Sequence, residues 1–212
     1  DSAGGSAKQA RNRETQAILP LRGKILNVAS ASGDKAGQNT ELSDLALALG
    51  VSTGSKFKVD DLRYGRVIIM TDADVDGAHI ASLLITYFHR SLPGLIRAGR
   101  LFLALPPLYK LQSGKTTAYA RDDAHKDELM KSAFNGREKV EVSRFKGLGE
   151  MMPAQLKETT MDPKTRTLAR VLVHGDDEGD IESLVETLMG RKPELRFNYI
   201  QNNARFVEDL DV

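Results

Sequence analysis

The chain has 212 residues, of which 41% are apolar and 28% charged, and its formal net charge is +1. This length suffices for one large domain or two small ones with buried cores, and no apolar run is long enough to span a membrane. The absence of cysteine excludes disulfides and thiolate metal sites, which fits a cytoplasmic protein.

The first quarter of the chain predicts helices joined by loops. Residues 2–14 predict a helix that Ser2 can cap, and the polar stretch 29–40 predicts a surface loop. Apolar residues at helical spacing over 42–49 predict another helix, which Gly50 ends.

The central part of the chain has the pattern of a strand, a helix and a second strand. Residues 67–71 and 101–105 are short apolar runs typical of buried strands, and an apolar helical face runs from Ile80 to Ile96. A strand-helix-strand unit places its two strands in a parallel sheet, whose ligands bind beyond the carboxyl ends of the strands. The predicted fold class is therefore α/β, with a parallel sheet flanked by helices.

The remaining residues predict shorter, mixed elements. They are a hairpin of residues 109–111 and 116–120, helices over 123–134, 153–158, 181–189 and 195–203, strands over 140–145 and 168–173, and a glycine turn over 146–150. We expect one domain over residues 1–112 and a smaller α+β part over residues 113–212.

Three aspartates, Asp72, Asp74 and Asp76, alternate directly after the first central strand and before Gly77. Carboxylates this close repel one another unless a positive charge lies between them. Mg²⁺ prefers such hard oxygen ligands and usually takes one or two carboxylates together with substrate phosphate oxygens. The turn therefore predicts a divalent cation held against a phosphate.

Two other interpretations of the acidic turn match the sequence less well. An EF-hand calcium loop would need a glutamate at its twelfth position, where Leu83 stands, and a helix rather than a strand before it. A haloacid-dehalogenase-like phosphotransferase would use Asp72 as its nucleophile, but its usual Thr or Val after the glycine is Ala78 here. The second interpretation stays open as an alternative.

Several long segments resemble one known family. They are residues 1–7 (DSAGGSA), 20–27 (PLRGKILN), 71–79 (TDADVDGAH), 106–110 (PPLYK) and 144–151 (RFKGLGEM). Together they resemble the Toprim domain of the B subunit of bacterial type IIA topoisomerases, that is, DNA gyrase or topoisomerase IV. Lys157 stands where gyrase usually has tryptophan, and the long insertion of some gyrases is absent, which favours topoisomerase IV.

The resemblance implies a division of labour between two subunits. Asp72 and Asp74 would be catalytic and, with Asp76, would hold Mg²⁺, for which Mn²⁺ or Ca²⁺ can substitute in binding. The A subunit would carry the tyrosine that attacks DNA in an A2B2 assembly, and ATP would bind only in the N-terminal domain of the B subunit. The family's metal-binding glutamate would lie two residues before Asp1, so this fragment alone is expected to be inactive.

The resemblance also implies DNA contacts. Lys24 and Asn27 match family positions that contact DNA, and Arg22 lies in a region where the family binds quinolone-type drugs. His79 and Lys146 are further candidates, although a histidine at a helix start can be a packing or capping residue and Lys146 can instead hold its turn to the sheet.

A different class of function is a non-catalytic docking module that keeps the fold for assembly. Retention of all three aspartates favours catalysis, because docking alone does not require them. The expected location is the bacterial cytoplasm, in association with the nucleoid, with DNA and the A subunit as partners and no membrane.

Overall fold

The computed structural model describes residues 3–136, 139–173 and 178–206, so the expected cap at Ser2 lies outside the described residues. The chain forms two compact units that interleave along the sequence. The first comprises Asp1–Arg22, Ile68–Ala78 and Phe102–Ala169, and the second comprises Gly23–Val67, His79–Leu101 and Arg170–Val212. Within the described ranges, none of the helices has the length and apolar character needed to span a membrane.

Helices make up most of the regular structure. They are α1 (Gly4–Ala10), α2 (Gly33–Gln38), α3 (Thr40–Leu49), α4 (Val75–Ser91), α5 (Pro93–Arg97), α6 (Asp123–Ser132), α7 (Pro153–Leu156), α8 (Glu178–Met189) and α9 (Pro193–Asn203). A π-helical turn, Lys157–Met161, directly follows α7. The strands are β1 (Val67–Ile69), β2 (Leu101–Ala104), β3 (Tyr109–Ser113), β4 (Thr116–Ala120), β5 (Glu141–Arg144) and β6 (Leu168–Arg170).

The strands form two sheets of three strands each, in the orders β1-β2-β6 and β4-β3-β5. In the first sheet, Leu105 N–H donates to the Thr167 carbonyl and Val171 N–H donates to the Leu101 carbonyl. Residue numbers thus rise along one strand as they fall along the other, so β6 runs antiparallel to β2. The mixture of helices and sheets confirms the predicted α/β class, but the predicted parallel sheet contains an antiparallel strand, β6.

The second sheet is antiparallel throughout. In it Tyr109 lies opposite Ala120 of β4 and opposite Arg144 of β5. The β3–β4 hairpin predicted around Ser113-Gly114 is confirmed, and Gly114 adopts the positive φ of 58° that this tight turn requires.

Three sequence predictions need correction. The helix predicted over residues 2–14 ends at Ala10, because Arg11 is extended, at φ −62° and ψ 152°. The helix predicted to run on to Ile96 ends at Ser91, because Pro93 lacks an N–H group and starts a separate helix, α5. The stretch predicted as a loop over 29–40 contains the short helix α2, none of whose residues is buried. A helix without a buried face leaves no apolar periodicity in the sequence.

The core of the first unit lies beneath the predicted glycine turn. A buried cluster combines residues of α1, of the segment after β5 and of the helical segment 153–161: Ala7, Ala10, Leu148, Met151, Leu156 and Met161. Met70, which follows β1, and Phe145 pack against this cluster. The same core therefore supports the end of β1 and the segment 145–151.

In the second unit, α3 and α4 are joined by a buried tyrosine. Tyr87 of α4 is 2% exposed, and its hydroxyl donates to the Leu42 carbonyl at 3.3 Å. Burial raises the pKa of Tyr87. As predicted, Gly50 ends α3 in the left-handed conformation, at φ 77°.

Helix α4 begins inside the acidic turn. Asp74 precedes its first residue, and the Asp74 Oδ1 atom accepts from the Gly77 N–H at 2.7 Å, as an N-cap side chain does. Gly77 is buried against the preceding turn, and an ideal Cβ at Gly77 would lie 2.0 Å from the Asp72 carbonyl oxygen. The Cβ atom of any other residue would collide with the Asp72 backbone.

We therefore expect Gly77→Ala to lower the free energy of unfolding by about 1–3 kcal/mol, the usual cost of overpacking. Gly37→Ala in α2 is the matched control, because nothing lies within 4 Å of its added Cβ, and it should leave stability unchanged or slightly higher. Urea denaturation of both variants measures this difference. Equal midpoints would show that the turn accommodates a side chain and that its close packing has no energetic consequence.

Candidate functional site

The three aspartates lie at the end of β1, within the first unit. Asp72 is half-buried, whereas Asp74 and Asp76 are exposed. The turn therefore presents carboxylates to solvent from a strand end that the core holds in place.

The Asp72 carboxylate is hydrogen-bonded to the backbone of a distant segment. Its Oδ1 atom accepts from the Leu148 N–H at 2.7 Å. A carboxylate acceptor makes such a bond shorter and stronger than a bond between neutral groups. The bond joins residues 76 positions apart, so it connects the acidic turn to the predicted glycine turn.

The glycine turn comes unusually close to Asp72. An ideal Cβ at Gly147 would lie 3.0 Å from both Cγ and Oδ1 of Asp72 and 3.1 Å from Oδ2. The turn is also closed on itself, because the Lys146 N–H donates to the Glu150 carboxylate at 2.8 Å. The backbone can lie against the carboxylate because residue 147 has no side chain.

Backbone N–H groups reduce the repulsion expected between the carboxylates of this turn. Asp72 accepts from Leu148, and Asp74 accepts from Gly77 at the amino end of α4, where the helix dipole favours negative charge. Two of the three carboxylates are thus stabilised without any cation. The acidic turn can form before a metal binds.

The carboxylate oxygens of Asp72 and Asp74 are suitable ligands for Mg²⁺. Among the described residues, no three His, Cys, Asp or Glu side chains form a group that could hold one metal ion. A site for Mg²⁺ does not require such a group, since this ion commonly takes one or two carboxylates with waters and phosphate oxygens. Asp72 and Asp74 each use one oxygen for a backbone N–H, which leaves one oxygen on each as a hard ligand.

A very small cavity lies beside the turn. Its volume is about 10 Å³, and its lining includes Ala73, Pro106, Pro107, Phe145 and Gly147. Such a cavity has room for no more than one water molecule. A phosphate group would therefore have to approach the carboxylates from their solvent side.

Asn27 has a structural role within the second unit. Its Nδ2 atom donates to the Met189 carbonyl of α8 at 2.9 Å, and its Oδ1 atom accepts from the Ala29 N–H at 3.0 Å. Both ends of the amide are thus engaged by the protein, and a DNA contact by Asn27 stays a prediction.

Arg90 of α4 also holds the segment that follows Lys24. Its guanidinium donates to Glu182 at 2.7 Å and to Glu186 at 3.1 Å, and it reaches the Val28 and Ala29 carbonyls at 3.5 Å. The segment is therefore fixed from two helices, α4 and α8.

The predicted cationic contacts are all on the surface. Arg22 and Lys146 lie in the first unit, and Lys24 and His79 are exposed in the second. Lys146 belongs to the turn that is bonded to Asp72, so the structure brings this residue and the acidic turn into one site. Roles in DNA binding for all four stay predictions.

The tyrosines of the first unit are engaged elsewhere. The Tyr109 hydroxyl donates to Asp123 at 3.0 Å, and the Tyr119 hydroxyl approaches Glu158 at 3.5 Å. Burial and, next, the negative charge of Glu158 raise the pKa of Tyr119. A raised pKa opposes the phenolate form that a nucleophile needs.

Sequence reasoning missed the contribution of Gly147 and Leu148. It identified the turn and considered Lys146, but the group that contacts Asp72 is the Leu148 N–H. The available signal was the Gly-Leu-Gly sequence at 147–149, in which an apolar residue that needs burial lies between two glycines.

Two family models match the chain. A family model described as Toprim domain matches residues 1–105, and one described as DNA gyrase B subunit, carboxyl terminus, matches residues 137–201. The two matches do not overlap, and together they take in well over half of the chain.

Curated relatives match over the full length of this chain. It is 70% identical to the DNA topoisomerase 4 B protein of Caulobacter vibrioides and 61% identical to the protein of that name from Bartonella bacilliformis. It is 50% identical to the DNA gyrase B protein of Thermotoga maritima. In each case the whole chain is matched, but it spans only 30%, 31% and 33%, respectively, of the relative's length. The chain belongs to the family of bacterial type IIA topoisomerase B subunits and is similar to their Toprim and carboxyl-terminal regions.

Proposed function

We propose that this chain is the metal-holding part of a type IIA topoisomerase B subunit and that it assists DNA cleavage, strand passage and religation. The observation that carries the proposal is the pair Asp72 and Asp74, fixed by backbone donors at an exposed strand end. This is the position at which open α/β sheets bind their ligands.

Asp72 and Asp74 are the proposed Mg²⁺ ligands, and Asp76 is a third ligand or a hydrogen-bonding neighbour. Mn²⁺ or Ca²⁺ should substitute in binding, because both accept oxygen ligands. When bound, the cation would polarise a DNA phosphate and stabilise the leaving 3′-oxygen. The contribution of the chain is to hold two carboxylates in place and to keep their outer side open to the phosphate.

Surface cations are the proposed DNA contacts. Lys146 lies in the turn bonded to Asp72, and Lys24, Arg22 and His79 lie on their own segments. Lys and Arg bind phosphates mainly through charge. Such contacts fix the position of the protein on the DNA backbone but do not distinguish base sequences. For Asn27 we propose an indirect contribution, in which its bond to Met189 shapes the segment that carries Lys24.

The nucleophile is proposed to come from a partner. In the first unit Tyr109 and Tyr119 have hydroxyls bound to carboxylates, which leaves neither poised for attack on a phosphodiester. We propose that an A subunit supplies the tyrosine in an A2B2 assembly, that ATP binds to another region of the B subunit, and that this chain alone does not cleave DNA. The enzyme would act in the bacterial cytoplasm, at the nucleoid.

For the division of roles along the chain, we propose that residues 1–112 supply the metal ligands and that residues 113–212 dock the partner subunit, in addition to supplying the turn that contacts Asp72. Exposed apolar side chains on and after α9 support docking, among them Phe197, Ile200 and Phe206, each 59% or more exposed. The same observation is what a purely non-catalytic docking module would show. A metal-holding chain can also dock a partner. Substitutions in the acidic turn distinguish such a chain from a docking module, because only metal binding requires the aspartates.

We expect Asp72→Ala, in the complete B subunit with its A subunit, to lower Mg²⁺-dependent DNA cleavage about 100-fold or more. Metal stabilisation of the leaving oxygen is worth several kcal/mol, and each 1.4 kcal/mol is about tenfold in rate. Asp44→Asn, on an exposed position of α3, is the control and should cleave normally. A supercoiled-plasmid cleavage assay measures this, and ATP hydrolysis should stay largely intact, because ATP is proposed to bind in another region of the subunit.

Cleavage by Asp72→Ala at the control rate would exclude the metal role and leave the docking module. A covalent DNA adduct on Asp72 of the unmodified chain would instead support the haloacid-dehalogenase-like alternative.

Lys24→Ala should lower the slope of log DNA affinity against log salt by about one unit, because one phosphate contact is lost. Lys115→Ala, at an exposed position between β3 and β4, is the matched control and should keep the slope. Fluorescence anisotropy at several salt concentrations, with the assembled enzyme, measures both. Parallel lines for all three proteins would assign Lys24 to the ordinary solvated surface.

A further inference from the structure

The backbone of residues 147 and 148 reaches the Asp72 carboxylate from a distant segment of the chain. The Leu148 N–H donates to Oδ1 at 2.7 Å, and an ideal Cβ at Gly147 would come within 3.1 Å of both carboxylate oxygens. This contact involves one carboxylate of the acidic turn and no side chain of the glycine turn. It stabilises the negative charge of the carboxylate and also restricts its orientation.

The glycine turn is rigid enough to impose an orientation. The Glu150 N–H donates to the Gly147 carbonyl and the Met151 N–H donates to the Leu148 carbonyl, each at 3.2 Å. Leu148 is 3% exposed and Met151 2% exposed, and both pack into the core beneath the turn. The donor is thus anchored by buried side chains.

A hydrogen-bond donor held in a fixed position can raise the metal affinity of an aspartate. An unrestrained carboxylate rotates and must lose that freedom when it binds an ion. A hydrogen bond from a rigid neighbour removes the freedom in advance, and such outer partners commonly change metal affinity by about 10- to 100-fold.

We propose that Gly147 and Leu148 are positioning residues for the metal site. The Leu148 N–H holds one oxygen of Asp72, Gly147 supplies the space that lets the backbone reach it, and the second oxygen remains as the ligand. The inference rests on the proposed function, because it takes Asp72 to be a metal ligand.

Gly147→Ala tests the inference with little change to the backbone. Residue 147 is extended, at φ −165° and ψ 168°, a conformation open to alanine, and the three atoms nearest its added Cβ all belong to the Asp72 carboxyl group. The substitution therefore displaces that carboxyl group first. Gly37→Ala, with open space around its Cβ, is again the matched control.

Two readouts on the 212-residue chain separate orientation from stability. Amide hydrogen exchange of Leu148, without metal, should be faster in Gly147→Ala than in the unmodified chain. Mn²⁺ affinity, from paramagnetic broadening of the amide signals around residues 72–77, should fall about tenfold, as expected for loss of an outer partner. The thermal unfolding midpoint should lie no more than a few degrees below that of Gly37→Ala, because one hydrogen bond is lost while the core is unchanged.

Asp72→Asn completes a double-mutant cycle. Asparagine keeps an oxygen that can accept from Leu148 but loses the charge, so this variant should keep the slow Leu148 exchange and lose Mn²⁺ affinity. In the double variant, Gly147→Ala should cause no further loss of affinity, because the two substitutions act through one carboxylate.

The outcomes separate the two proposals. Unchanged Mn²⁺ affinity in Asp72→Asn would overturn the metal role itself. A fall in Asp72→Asn without one in Gly147→Ala, or an equal fall for Gly147→Ala in both backgrounds, would overturn the positioning role alone. Should Gly147→Ala unfold, a backbone ester at Leu148 deletes the same N–H group while keeping the leucine side chain, and it should give the same loss of about tenfold.

Discussion

The hydrogen bond from the Leu148 N–H to the Asp72 carboxylate is the interaction on which the acidic turn depends. It joins a strand end to a turn 76 residues later in the chain, at 2.7 Å. The core of the first unit determines both ends of this bond, since Met70 and Leu148 pack in one apolar cluster. Burial of apolar side chains is therefore what places a backbone donor against an acidic group.

In the same turn, one residue has both a structural role and a proposed chemical role. Asp74 caps α4 through the Gly77 N–H and is also a proposed metal ligand. An N-cap aspartate is worth about 1 kcal/mol, and the amino end of a helix favours negative charge whether or not a cation is present. The fold thus stabilises the neighbouring carboxylates without a cation, and a cation can bind to carboxylates that are already in position.

The sequence predicts this site only in part. Alternating aspartates after an apolar run identify the strand end, and the hairpin at Ser113-Gly114 follows from turn chemistry. The end of α4 was predicted wrongly, because the apolar face continues past the break at Pro93. The partners of Leu148 and Asn27 lie 76 and 162 positions away, so the sequence around each residue does not identify the group that it contacts.

We propose that Asp72 and Asp74, each held by a backbone N–H, form one cation site. Anomalous diffraction from crystals of the chain soaked in Mn²⁺ tests it most directly. We expect one anomalous peak within about 2.5 Å of an oxygen of each aspartate, the upper end of metal–oxygen distances for hard cations, with the Leu148 N–H still bonded to Asp72. A peak bound elsewhere, or a turn rebuilt with that bond broken, would contradict it.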